Sequence, residues 1–259
     1  MLSTYEQPVS PNRVPEVTVD FWLIKLMAVT VGETAADFLS LNLGLGLQNT
    51  TYLMSAILVG VIALQFAQKR YVPWVYWSAV VMVSVVGTLL TDNLIDTFGV
   101  PLATTTIACT VVLAAIFAAW YASEKTLSIH TVVTTRREVF YWLAVLATFA
   151  LGTAAGDYVS EALGVGYLGT GALFGAVIAA IAFAHYVLKM NAILAFWLAY
   201  IFTRPLGASL GDLLSLPTDY GGMGFGTIVT SAMFLAVIAG IVVYMTVMRG
   251  PRDGAQPVR

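Results

Sequence analysis

The chain reads as an all-α membrane protein with eight transmembrane helices, and four observations lead there. Of its 259 residues, 59% are hydrophobic and only 10% are charged, against roughly 25% charge in a soluble domain. A mean hydropathy of +0.86 exceeds what a buried core alone produces, because a soluble protein must cover its outside with polar groups. Eight apolar stretches can be marked, each about the 20 residues that a helix needs to cross the hydrocarbon layer. Finally, Lys and Arg are confined almost entirely to alternate connections.

Residues 1–20 are polar and carry Pro8, Pro11 and Pro15. They lack a basic segment leading into a short apolar run and a cleavage site, so a disordered tail is expected, not a signal peptide. Spans follow at 21–41, 51–68, 72–95 and 102–121, making a first four-helix repeat over 21–126. A linker at 127–138 leads to a second repeat over 139–248, with spans at 139–162, 170–188, 191–216 and 225–248. Residues 249–259 form a second polar tail.

Lys69 and Arg70 fall between spans two and three, Lys125, Arg136 and Arg137 between four and five, and Lys189 between six and seven. Arg13 and Lys25 stand at the amino-terminal end, and Arg249, Arg252 and Arg259 follow span eight. The intervening connections carry no Lys or Arg. The positive-inside rule then places both termini and the linker in the cytoplasm. The formal charge of −2 is too balanced for a nucleic-acid partner. Cys109, the single cysteine, excludes a disulfide framework or a multi-thiolate metal site within one chain.

The two halves repeat one another. Residues 31–46 align without gaps on residues 151–166, with identity at seven of sixteen positions, including Gly32 with Gly152 and Asp37 with Asp157. The same shift of 120 carries Gly87 and Asp92 onto Gly207 and Asp212. One G-x-x-x-x-D pattern therefore occurs in each odd-numbered span. The chain is expected to be a duplicated four-helix half, each half made of two helical hairpins, with parallel repeats about an axis along the membrane normal. Sixteen residues from Phe21 to Asp37 rise roughly 24 Å, which sets the aspartates in the outer third of the membrane. The glycine five residues earlier lets the helices approach closely.

Charge inside a bilayer costs about 2.5–3.5 kcal/mol per group on insertion scales, and the carboxyl end of a helix disfavours an anion further. A cation, a basic partner or a proton must compensate. Glu33 adds a fifth carboxylate one turn from Asp37, while Thr88, Thr153 and Ala208 hold the equivalent places. The expected site is a set of hard oxygen ligands for a metal ion: Glu33, Asp37, Asp92, Asp157 and Asp212, helped by Thr34, Ser40 and Asn93. Such a set suits Mn, Mg or Ca, or carries protons in exchange. Arg204, followed by Pro205 inside span seven, demands a carboxylate partner; Glu33 is the first candidate, as a gating or a static pair.

His130 and His185 fall near the inner membrane surface, and neither histidine pairs for haem nor a mid-helix lysine for retinal are present. The tryptophans, among them Trp22, Trp74, Trp77 and Trp120, are expected in an interfacial belt. No Gly-rich loop follows a strand, so phosphate chemistry is not expected.

The four G-x-x-x-x-D copies, above all Gly32-Glu33-Thr34-Ala35-Ala36-Asp37, resemble a bacterial family of multi-pass proteins built from a short repeat of unknown function. That resemblance implies the repeat architecture and a bacterial inner membrane, and brings no established activity. A looser likeness links the motif to cation/proton exchangers in which a glutamate precedes glycine and aspartate; here the glycine comes first. The functional expectation is a secondary transporter that exports a small cation, a divalent metal, in exchange for protons. It is not an enzyme, since no His or Cys constellation supports catalysis. Rival expectations are a non-transporting membrane sensor or assembly protein, and a transporter of a small organic or zwitterionic substrate. Small-residue surfaces permit a homodimer.

Overall fold

A computed structural model describes residues 12–249 of the chain. The helices are α1 (Val19–Asp37), α2 (Leu47–Ala67), α3 (Pro73–Asp92), α4 (Leu102–Glu124), α5 (Thr135–Asp157), α6 (Gly166–Tyr186), α7 (Ala192–Ser215) and α8 (Thr227–Tyr244). Seven of them are long and apolar enough to cross a membrane, which makes this a multi-pass membrane protein by composition. The exception among the eight is α1, whose sequence includes Asp20, Lys25, Glu33 and Asp37. Its polar groups are tolerable because neighbouring helices cover them: Lys25 and Glu33 are both buried.

Inner and outer helices separate cleanly. The odd helices α1, α3, α5 and α7 contact one another in that cyclic order, with α7 returning to α1. The even helices lie outside and stay largely exposed, presenting residues such as Val59, Ile107, Phe183 and Val237. An apolar exterior of this kind suits lipid and not water.

The expected hairpins are not the packing units. Helix α2 packs on α3, α4 on α5, α6 on α7, and α8 on α1, whereas α1 and α2 hardly touch along their lengths. Each outer helix covers the inner helix of the next repeat. The loops explain the offset. Gly44 and Gly46, like their counterparts Gly164 and Gly166, have positive φ between 68° and 75°, a conformation that only glycine adopts without strain. They shape the turn into the next helix, and α2 and α6 begin at residues 47 and 166, four positions before the expected 51 and 170.

The inner ring closes through four glycine contacts. A β-carbon at Gly32 would collide with Ser84, at Gly87 with Phe149, at Gly152 with Arg204, and at Gly207 with Val29. Ser84, Phe149, Arg204 and Val29 each lie three residues before the repeat glycine of the next helix in the ring. The same pair of positions is therefore used at every interface, and the absent side chain is what lets the backbones meet there.

The amino-terminal segment departs from the expected disordered tail. Residues 12–18 run across the basic end, where Arg13 N–H donates to Val132 O (3.0 Å) and Tyr71 N–H to Asn12 O (3.1 Å). The Arg13 guanidinium pairs with Glu138 at 2.6 Å, and Gln65 Nε2 donates to the other Glu138 oxygen at 2.8 Å. Glu138 is fully buried, so its charge needs this pair, and the segment is tied down by it. Residues 1–11 and 250–259 of the expected tails, with Arg252 and Arg259, lie outside the described residues.

Candidate functional site

Stacked residue layers line the axis of the inner ring, four residues or about 6 Å apart. Nearest the basic end lie Phe21, Tyr76, Tyr141 and Phe196, all buried, with their rings packed edge to face or tilted on Trp77, Trp142 and Trp197, and Tyr76 stacked on Tyr141. Tyr76 and Tyr141 join through their hydroxyls. This aromatic floor corrects the expected belt. Trp77, Trp142, Trp197 and Trp120 are 5% exposed or less, and Trp197 Nε1–H donates to Leu127 O at 2.9 Å; Trp74, at 50% exposure, alone of these fits an interfacial place. The signal was available: Phe21-Trp22, Tyr76-Trp77, Tyr141-Trp142 and Phe196-Trp197 stand eleven and ten residues before the four repeat glycines.

The next layer holds Lys25, Val80, Val145 and Tyr200. Lys25 is 1% exposed, which overturns its place among the end charges. Its Nζ donates to Tyr200 O at 2.9 Å and lies 4.0 Å from the centroid of the Tyr200 ring and 5.3 Å from that of Phe149. Carbonyl and ring faces supply partial negative charge in place of a carboxylate.

Arg204 follows, in the layer of Val29, Ser84 and Phe149. The guanidinium is buried and reaches toward the Glu33 layer. Its Nη2 donates to Glu33 Oε2 at 2.6 Å, to Thr153 Oγ1 at 2.7 Å and to Thr88 Oγ1. Glu33, Thr88 and Thr153 are equivalent positions of three repeats; the fourth, Ala208, offers no oxygen. One nitrogen thus sits in a nest of three oxygens from three helices. Arg204 Nε and Nη1 find no hydrogen-bond partner among the described residues. Room for the side chain and for Pro205 comes from Gly152 and Gly156 on α5.

One turn further out stand Asp37, Asp92, Asp157 and Asp212. Asp212 is 9% exposed and the other three are half-buried. Each feels Glu33, and Asp92 and Asp212 each feel the charges of Asp37 and Asp157, their neighbours in the ring. The four carboxylates therefore stand together at the end of the inner ring that lacks basic loops, with Asp96 and Glu161 near them. Directly after three of these aspartates the helix widens into a single π turn, over Phe38–Asn42, Asn93–Thr97 and Tyr158–Ala162. Leu43 N–H, for example, bonds to Phe38 O at 2.9 Å. Such turns recur at functional sites, and no spacing in the sequence announces them. The fourth repeat stays α-helical, with Leu216 N–H on Asp212 O at 2.9 Å, and Pro217, lacking an N–H, ends it.

Other expected ligands do not join the ring. Thr34 lies 100° around α1 from Glu33, and its hydroxyl bonds to Thr30 O and to Ser231 of α8. Asn93 faces α2, donating to Thr51 Oγ1 and Leu89 O, both at 2.7 Å. Ser40 bonds to Ala36 O at 2.7 Å. Among the described residues no three His, Cys, Asp or Glu side chains are grouped closely enough to hold a metal ion. The expected metal set of Glu33, Asp37, Asp92, Asp157 and Asp212 is thus spread around a ring, with Glu33 engaged by Arg204 and not free to complete a chelate.

No curated protein and no solved structure matches the chain significantly. A family model does match, four times over, at residues 21–71, 75–126, 140–191 and 195–250. Each match spans one inner helix and the outer helix that follows it in sequence. With four copies covering most of its length, the chain belongs to the DUF347 family, a repeat of unknown function.

Proposed function

We propose that the protein is a secondary transporter that moves a small cation across the membrane in exchange for protons. The observation that carries this reading is the nest around Arg204 Nη2: a carboxylate and two hydroxyls, contributed by three repeats, surround one positively charged nitrogen beneath four carboxylates. The guanidinium there is a tethered stand-in for cargo. An arriving cation competes with Arg204 for Glu33, Thr88 and Thr153, all hard oxygen donors, and a divalent ion such as Mn, Mg or Ca takes a second carboxylate from the aspartate ring. Asp37, Asp92, Asp157 and Asp212 raise the local cation concentration and exchange protons for it. The aromatic floor and Lys25 close the opposite half of the axis, so access alternates when Arg204 leaves its nest.

In the same reading all eight helices cross the inner membrane of a bacterium, α1 included. Four parallel repeats surround an axis along the membrane normal, both termini are cytoplasmic, and the acidic end faces outward. The recurring glycine contacts and the basic end support that arrangement.

The test is transport of Mn by purified protein in proteoliposomes under an imposed pH gradient, followed with a metal-sensitive dye inside. Asp37→Asn and Asp157→Asn abolish movement while leaving a monodisperse helical protein. Full activity in both variants rules the site out, and absence of any cation flux in the wild type favours a sensor or assembly role.

A further inference from the structure

Between the outer helices α4 and α6 lies a lateral groove of about 770 Å³. It exists because α4 packs on α5 and α6 on α7, leaving the two outer helices apart. Its floor includes Gly152, Ala155 and Pro205, and Phe117 and Phe174 line its sides. Along α4 it extends from Thr106 to Tyr121, roughly 22 Å at 1.5 Å per residue, more than one leaflet of a hydrocarbon layer about 30 Å thick. A groove this apolar, on the outside of a multi-pass protein, is filled from the bilayer.

One end differs from the rest. At the basic end the lining passes to Lys125, Thr126 and Asn191. Lys125 is exposed and forms no salt bridge among the described residues. Beside it α7 begins: Asn191 Oδ1 accepts from the N–H groups of Ile193 and Leu194 at 2.9 and 3.2 Å, leaving its own amide N–H₂ to donate outward. The positive pole of a 24-residue helix and a lysine thus converge at the mouth of an acyl-sized channel.

We infer that this groove is a binding site for an acidic phospholipid. One acyl chain runs along Phe117, Phe174 and Gly152, and the phosphate is held by Lys125 and the Asn191 amide, within the field of the positive pole of α7, whose first N–H groups stay on Asn191. A net negative headgroup is preferred because a zwitterionic one brings an ammonium group against Lys125. The tail ends against Pro205, on the segment that carries Arg204, so the lipid buttresses the helix face behind the buried guanidinium.

Delipidated full-length protein titrated with phosphatidylglycerol or phosphatidylcholine, and read by native mass spectrometry, tests the assignment. The wild type binds one phosphatidylglycerol more tightly than phosphatidylcholine. Lys125→Glu weakens phosphatidylglycerol at least about fivefold, the effect of one basic residue near a lipid surface, and leaves phosphatidylcholine unchanged. Ala114→Trp, which fills the groove from an exposed position on α4 and does not disturb the inner ring, weakens both lipids. Equal binding of the two lipids by the wild type overturns the proposal, as does wild-type phosphatidylglycerol affinity in either variant.

Discussion

Replacing Glu33 by Gln keeps the shape of the side chain and one acceptor oxygen, and removes its charge. Arg204 then stays buried at 1% exposure, with Thr88 and Thr153 still bonded to Nη2 but no counter-charge in contact. Breaking a buried pair in this way costs about 3–5 kcal/mol, and the surviving hydroxyl contacts argue for about 3 kcal/mol. For a chain of this size each kcal/mol moves the unfolding midpoint by roughly 2–4 °C, so a drop of roughly 6–12 °C is expected. The measurement is thermal unfolding of detergent-solubilised protein, by fluorescence of the buried tryptophans. The double variant Glu33→Gln with Arg204→Met removes both charges and recovers most of the loss, because apolar replacement of a buried pair is neutral to stabilising. A Glu33→Gln midpoint within about 1 °C of the wild type would refute the reasoning, since the guanidinium would then not depend on Glu33.

The glycine ring is tested by Gly87→Ala, whose new β-carbon would sit 2.7 Å from that of Phe149; a loss of about 1–3 kcal/mol is expected in the same melt. Gly60→Ala, in open space on α2, gives no loss, so equal effects at the two sites would sink the close-packing account. Arg13→Ala releases the segment at residues 12–18 and leaves the Glu138 charge without its cation; hydrogen exchange at the amides of residue 13 and Tyr71 accelerates, whereas unchanged protection would mean that backbone bonds alone hold the strap.

Much of this arrangement was legible because repetition multiplies a weak signal. A single glycine or aspartate says little, but Gly32, Gly87, Gly152 and Gly207 with their aspartates recur at one spacing, and the structure uses all four glycines identically. The Glu33–Arg204 contact was legible for a different reason: a buried guanidinium needs a carboxylate, and few are within reach. What escaped was either unrepeated or a matter of packing. Lys25 counts as an end charge in any topology argument, and only the layer it shares with Val80, Val145 and Tyr200 reveals it as interior. The roles of Thr34 and Asn93 turned on rotation about the helix axis, where one residue changes the facing partner by 100°. The π turns after Asp37, Asp92 and Asp157 require one extra residue per turn and leave no trace in hydropathy. Offset packing escaped because nearness in sequence argues for hairpins, while glycine turns decide where the next helix goes.

That offset governs how the molecule is made. Helix α1 is synthesised first, yet its outer cover is α8, and the counter-ion of Glu33 arrives 171 residues later on α7. At about 5–20 residues per second the wait is roughly 10–30 s. During that interval the least apolar helix of the chain holds a lysine and a glutamate with neither of their final neighbours in place. Of the eight helices, the first to emerge is thus the last to be completed, and its buried charges wait for their partners until the circle shuts.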